Sequence, residues 1–293
     1  MKTGYVALVG RPNVGKSTLL NHLVGQKLSI VSRRPQTTRH RILGIKTDAE
    51  GQVIYVDTPG IHGGERRAMN RYLNRTAVSA LLGVDLVVWL VDRVGWLSED
   101  DLVRTRIDEA GVPVILAINK VDRIQEKEVL LPFIGSAAES KRFTDIIPIS
   151  ATKGINLERL EERIRMRLPE GDPIYPEDQI SDRPERFFAA EIIREKLFHR
   201  LAQEVPHALT VSIERFQEER RLTRIHALVW TEREGQKAIV IGKNGEVLKR
   251  VGEQSRLDLE RMLGRRVFLD LWVKVKRGWP DDERMLQYLG YAD

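Results

Sequence analysis

The 293 residues contain no cysteine, which excludes disulfides and thiolate metal sites and fits a reducing compartment. They also lack any apolar run near the ~20 residues a membrane-spanning helix needs; LVVWLV, ahead of Asp92, reads instead as a buried strand. Low-complexity tracts are missing, and the strand-like YVALVG begins so early that no secretory signal or transit peptide is expected before it. Charge asymmetry is missing too. The 48 Lys+Arg and 42 Asp+Glu leave a net +6, which divides as +3 on each side of residue 179. Such a balance suits an anionic partner without saying which half meets it. What is present is an ordinary globular composition, 42% hydrophobic and 31% charged, on a chain long enough for two cores.

Residues 1–168 alternate short β-branched runs with helix-patterned segments. YVALVG, VIYVD, LVVWLVD, VPVILAINK and IIPIS are continuous and bounded by turn residues, as strands covered on both faces are. RILGIKT is expected to join VIYVD through the turn DAEGQ. The fold class is therefore an α/β domain with a mostly parallel sheet, binding ligands at the C-terminal ends of its strands. Residues 169–186 hold four prolines without apolar periodicity and read as a linker. From 187 to 293 the expected order is α-β-β-α-α-β, a small α+β domain ending in a short helix.

Gly10, Gly15, Lys16 and Ser17 fit GxxxxGK[ST] between a strand and a helix. Glycines let the backbone N–H groups of the loop, from Asn13 and Val14 through Thr18, face phosphate oxygens, and Lys16 adds an ammonium. Ser17 is placed to bind Mg²⁺, and Asp57 of DTPG to hold the same ion through water. Gly60 lets the backbone swing toward a γ-phosphate. In NKVD, Asp122 can accept from both N1–H and the exocyclic amine of guanine, a donor pair that adenine lacks. Asn119 braces that loop and the Lys120 stem can lie along the base. In SAT, Ser150 precedes Ala151, whose N–H faces the guanine carbonyl. Together these imply GTP or GDP with Mg²⁺, and catalysis through Lys16 and Gly60.

The four motifs, in order, resemble the translation-factor-related class of GTPases. That resemblance selects Thr38 of QTTRH over Thr37 as the threonine that closes over Mg²⁺ and γ-phosphate. Many relatives carry glutamine after DxxG to orient water; here the residue is Ile61, which implies slow intrinsic hydrolysis or help from elsewhere. In relatives with GxPNxGKS the loop asparagine helps hold K⁺. Asn13 matches, and either a K⁺ site or simple loop shaping accounts for it.

KAIVIGKNGEVLKR resembles a second phosphate loop but fails it: Lys237 stands where glycine is required and Asn244 where serine or threonine is. It fits the GxxG turn of a type II KH domain, which grips about four nucleotides of a single strand. Gly242, Lys243, Asn244 and Gly245 form the turn, and Lys237, Lys249 and Arg250 the basic rim. Ile239, Ile241 and Val247 supply an apolar floor. Arg265, Arg266, Lys274, Lys276 and Arg277 make a second basic cluster. Trp272 and Trp279 are candidate stacking platforms, although Trp272 alternates with apolar residues and is expected in the core. His199, His207 and His226 show no metal-ligand spacing and are assigned no chemistry.

A P-loop GTPase followed by a KH domain is similar to the Era family of bacterial GTPases along essentially the whole chain. GRPNVGKSTLLN, QTTRHR, DTPGIH, NKVD, REGQKAIVIGKNG and LWVKVKRGW carry the resemblance. It implies single-stranded RNA at the 3′ end of small-subunit rRNA as partner rather than DNA, and a role in small-subunit maturation. It also implies a monomer in the cytoplasm with some peripheral membrane contact. Two other arrangements use the same motifs: a signalling GTPase whose C-terminal domain contacts protein, and a constitutive RNA binder with a structural nucleotide.

Overall fold

Continuous β-branched runs can satisfy their backbone and bury both faces only in the middle of a sheet, and here they do. The structure, a computed structural model, describes residues 1–293 apart from 33, 35, 61–66, 93–94, 202–207 and 292–293. Among the described residues the first unit holds β1 (Lys2–Val9), β2 (Ile42–Asp48), β3 (Gly51–Asp57), β4 (Leu86–Val91), β5 (Val114–Ile118) and β6 (Asp145–Pro148). They form one sheet in the order β2-β3-β1-β4-β5-β6. β2 runs antiparallel to β3 through the expected turn, and the remaining pairings are parallel. Every residue of β3, β4 and β5 is buried. The helices are α1 (Lys16–Val24), α2 (Ala68–Ser79), α3 (Ser98–Ala110), α4 (Leu130–Glu139) and α5 (Leu157–Arg167). Because β1, β3, β5 and β6 are parallel, the loops that follow them gather at one edge of the sheet. Those loops carry all four nucleotide motifs.

The expected linker, 169–186, behaves differently from a free connection. Thr3 donates its N–H to Pro169 O (3.1 Å), and Gly171 donates to Met1 O (2.9 Å). The fully buried Gln52 clamps the segment: its Oε1 accepts from the N–H groups of Ile174 (2.8 Å) and Tyr175 (2.9 Å), and its Nε2 donates to Tyr175 O (2.8 Å). Further on, Ile45 N–H donates to Ile180 O (2.9 Å) and Ser181 Oγ to Leu43 O (2.6 Å). Residues 169–182 are thus a strap on β1, β3 and β2. The chain divides into two compact units, Met1–Glu65 with Asn70–Asp182 and Arg66–Met69 with Arg183–Asp293, and the next helix starts at Glu185. Prolines removed four donors and all helical periodicity, but left the other backbone groups free to pair with a buried glutamine.

The second unit comprises α6 (Glu185–Arg200), β7 (Leu209–Glu218), β8 (Leu222–Thr231), α7 (Glu234–Ile241), α8 (Glu246–Leu263), β9 (Arg266–Val275) and α9 (Glu283–Tyr288). This is the expected α-β-β-α-α-β order with its closing helix. Its sheet runs β7-β8-β9, antiparallel then parallel. One face packs Val211, Ile225, Val229, Val267 and Val273 against Ile193, Leu197, Val240 and Leu259 of the helices. The two tryptophans are the reverse of expectation. Trp272 is 62% exposed, whereas Trp279 is fully buried and donates Nε1–H to Ala208 O (3.2 Å). Side chains alternate along a strand, so the buried Val267 and Val273 put Trp272 on the opposite face whatever its sequence neighbours are. His207 lies outside the described residues. Among the described residues no helix is long and apolar enough to cross a membrane.

The strap gives a direct stability test. Gln52→Ala leaves two amide hydrogens of the strap without their acceptor and should cost about 2 kcal/mol. Urea unfolding followed by the first unit's signal should shift to a lower midpoint, and proteolysis within 169–182 should accelerate. An unchanged midpoint would contradict the clamp.

Candidate nucleotide site and nucleic-acid surface

The loop after β1 turns directly into α1. Gly15 stands at φ 107°, and a Cβ there would lie 2.3 Å from Asn119 Nδ2, so only glycine lets the two loops approach this closely. The first helical bond runs from Leu19 N–H to Gly15 O (2.9 Å). The N–H groups of Lys16, Ser17 and Thr18 therefore belong to the first helical turn, which has no carbonyls behind it to bond. Together with the helix dipole they form a partial positive cradle for an anion. Lys16 is buried, and Nζ donates to Gly10 O (3.0 Å) and Arg11 O (2.9 Å). Burial lowers its pKa to about 8, against the opposing charge of Asp57.

Three side chains from three elements meet beside it. Ser17 Oγ donates to Asp57 Oδ2 (2.8 Å) and shares a hydrogen bond with Thr38 Oγ1 (2.8 Å). Thr37 instead turns its hydroxyl to Arg34 O (2.6 Å), so the structure brings Thr38 and not Thr37 to this cluster. Asp57 is fully buried, and burial raises its carboxyl above the ordinary range despite Lys16, Ser17 and Ser29. Its Oδ1 is buried without a hydrogen-bond partner. Two hydroxyls and a carboxylate with one orphaned oxygen suit Mg²⁺, which takes few protein ligands and completes its shell with phosphate and water. Among the described residues no cluster of three or more His, Cys, Asp or Glu is placed for a metal, so this mixed donor set is the candidate. Gly60 lies against the same loop; a Cβ on it would fall 2.6 Å from Pro12 N. Ile61 lies outside the described residues.

The base-recognition loop is braced from both sides. Asn119 Nδ2 donates to Val14 O (2.7 Å), while its Oδ1 accepts from Lys120 N–H (2.8 Å) and Ala151 N–H (3.0 Å). The Ala151 amide, expected to face a guanine carbonyl, is thus directed at Asn119, the nearest strong acceptor. Asp122 is exposed, and Ser150 Oγ donates to its Oδ1 (2.6 Å), which fixes the carboxylate's orientation. Lys120 Nζ reaches across to Asn13 O (2.6 Å) and to Asp92 Oδ2 (2.7 Å). Asn13 itself is exposed, in the left-handed region at φ 64°.

Sequence reading missed Asp92, Arg11, Asp100 and Ser29. Arg11 bridges Asp92 (2.8 Å) and the buried Asp100 (2.8 Å), tying the phosphate loop to β4 and α3. Burial alone would raise the Asp92 carboxyl, but Lys120 and Arg11 outweigh it and hold it below the usual range. Ser29 Oγ donates to Asp57 Oδ2 (2.8 Å). Asp92 had a signal, since it closes a strand at the edge where the motifs gather. Ser29 had none.

In the second unit the GxxG turn joins α7 to α8. Gly242 has φ 75°, and a Cβ there would lie 2.4 Å from Val247 Cγ2; Asn244 and Gly245 are also left-handed. Lys243 and Asn244 are exposed at the tip, and Lys249 and Arg250 are exposed in the first turn of α8. Lys237 is half-buried on α7. Ile239 is 50% exposed beside the turn, whereas Ile241 and Val247 pack partly into the core. An exposed backbone turn with apolar and basic flanks can hold a sugar–phosphate chain and its bases.

Comparison with known proteins places these sites in context. A family model described as "50S ribosome-binding GTPase" matches residues 5–120, and one described as "KH domain" matches residues 204–280. The chain is 54% identical to the GTPase Era of Ectopseudomonas mendocina over 292 residues, covering 100% of this chain and 98% of that protein. Against the Pseudomonas aeruginosa GTPase Era the figures are 53%, 100% and 96%. Two solved structures match at TM-score 0.97 and 40% identity, covering 100% of both chains. One is an Aquifex aeolicus Era variant bound to GDP and AlF₄⁻; the other is Era in complex with MgGDPNP and nucleotides 1506–1542 of 16S ribosomal RNA. The large-subunit description belongs to a model of the nucleotide-binding part only, while the RNA in the full-length match is from the small subunit.

The depressed Lys16 pKa yields a linkage test. Phosphate favours the ammonium, so binding returns Lys16 to full protonation. Well below pH 8 the proton is already present; above it, binding must take one up. Calorimetry in buffers of different ionisation enthalpy should show almost no proton uptake at about pH 6.5 and more than half a proton at about pH 8.5. Uptake independent of pH would contradict the assignment.

Proposed function

The chain belongs to the Era family of GTPases, and from that premise we propose that it is a GTP-hydrolysing switch whose KH unit binds single-stranded RNA. The RNA is the 3′ end of small-subunit rRNA, and the setting is maturation of the small ribosomal subunit in the cytoplasm, with peripheral membrane contact. The observation that carries this reading is the meeting of Ser17, Thr38 and Asp57 around an orphaned carboxylate oxygen. Thr38 is the part that a γ-phosphate would hold and hydrolysis release.

Each residue then has a task. The N–H groups of the turn from Asn13 to Thr18 hold the phosphates, and Lys16 exchanges its two carbonyl partners for phosphate oxygens. Ser17 and Thr38 would offer hydroxyls, and Asp57 a carboxylate through water, to a Mg²⁺ whose positive charge would offset that of the phosphates. Gly60 brings its backbone N–H to the γ-phosphate. Asp122, aimed by Ser150, accepts from guanine, and Asn119 keeps the base loop and phosphate loop in register. Ala151 serves the guanine carbonyl after its N–H turns from Asn119. With Ile61 following Gly60, no side chain there orients water, and intrinsic hydrolysis is slow. Asn13 would help hold a K⁺ ion whose charge assists hydrolysis.

GTP orders the segments 30–40 and 57–70, and the GTP-bound form frees the KH surface. That release would come from reorientation about the 169–186 segment, of which residues 169–182 bond to the first unit. The turn Gly242–Gly245 with Lys237, Ile239, Ile241, Lys249 and Arg250 is the RNA surface.

Two rates test the reading. An RNA matching the rRNA 3′ end should change GTP turnover, and K⁺ should raise it above the value in Na⁺. Turnover indifferent to RNA would favour a signalling GTPase with a protein-binding C-terminal unit. Equal rates in the two salts would remove the K⁺ site alone.

A further inference from the structure

The face of the KH sheet opposite α6, α7 and α8 is built unlike an ordinary solvated surface. Along β9 the outward residues are Arg266, Phe268, Asp270, Trp272 and Lys274, alternating with the buried positions. Phe268 is 46% exposed and Trp272 62%. The parallel register sets Arg224 beside Phe268, His226 beside Asp270 and Trp230 beside Lys274. Cations stand over the rings: the Arg224 guanidinium lies 5.5 Å from the Phe268 centroid, and Lys274 Nζ lies 5.8 Å from that of Trp230.

The charge on this strip favours an anion. Arg224, Arg266 and Lys274 face one carboxylate on the two strands, Asp270. That carboxylate is already engaged, accepting from Trp272 Nε1 (2.8 Å) with His226 Nδ1 at 3.3 Å. Arg224 also meets Glu219 (2.8 Å) beside the β7–β8 turn, which leaves the strip's positive charge to Arg266 at that end and Lys274 at the far end, with Asp270 between them. The Asp270 contact holds the Trp272 indole by its polar edge, so the ring is positioned while its surface stays exposed. An acidic protein could use the cations, but two large rings on one strand, four residues and roughly 13 Å apart, serve it less well than they serve bases. Aromatic rings interleaved with cations on a sheet are what unstacked bases need, because every base has a π-face and every linkage a phosphate.

We infer that the β8–β9 side of this face is a second single-stranded RNA contact, stacking bases on Trp272 and Phe268 and pairing phosphates with Arg224, Arg266 and Lys274. It is distinct from the GxxG turn, which joins the helices of the opposite layer. The inference rests on the RNA-binding reading of this unit, and the test separates the two.

The full-length protein is titrated with a four-nucleotide RNA and with a single-stranded RNA of about twenty nucleotides, both matching the rRNA 3′ end. Trp272→Ala should weaken the long RNA about 10-fold or more and leave the short one unchanged. Trp272→Phe should recover most of the loss, since it keeps a stacking surface, and Phe268→Ala should weaken the long RNA in the same direction. Unchanged thermal melting of each variant excludes a folding defect. If the short RNA binds and Trp272→Ala leaves long-RNA affinity intact, this face is no RNA contact, and a protein partner becomes its occupant. If neither RNA binds the unsubstituted protein, the RNA-binding reading itself fails.

Discussion

A carboxylate sealed away from water must be paired or neutralised, and Asp57 is the point where this chain faces that constraint. Its Oδ2 takes hydroxyl hydrogens from Ser17 and Ser29, while Oδ1 has no partner. Three segments are organised around that one group: the phosphate loop through Ser17, the Thr38 segment through Ser17 in turn, and the strand β3 that carries Asp57. A divalent cation held by Ser17, Thr38 and Asp57 would offset that charge, which would link the electrostatic problem at Asp57 to the position of Thr38.

The surrounding braces keep that centre in register. Asn119 bridges the two nucleotide loops with three hydrogen bonds, and Lys120 spans from the base loop to Asn13 and Asp92. Farther out, the strap bonds to β2, the strand that begins directly after the Thr38 segment. Ile180 and Ser181 pair with Ile45 and Leu43 there. In the second unit the equivalent economy is the Gly242 turn, where the approach of Val247 leaves no room for a Cβ.

Much of this was legible in the sequence because strand runs, glycine spacing and helix periodicity are local. The sheet, the α-β-β-α-α-β order and the placement of four motifs at strand ends follow from short windows of residues. What was not legible depends on pairing at a distance. Gln52 looked like any polar strand residue until residues 174 and 175 closed on it. Ser29 is a loop serine until it meets Asp57. The strap was hidden by its prolines, which mark irregular backbone but not whether that backbone is bound. Trp272 misled because apolar neighbours in sequence lie on the other side of a strand.

The central claim is that the state of the Asp57 cluster governs RNA binding by the second unit. It is tested most directly by measuring affinity for the rRNA 3′ end with Mg²⁺ and a non-hydrolysable GTP analogue, and again with Mg²⁺ and GDP. Tighter binding in the GTP-analogue form, with the difference abolished by Asp57→Asn, is the expected result. Equal affinity in the two nucleotide states would contradict it.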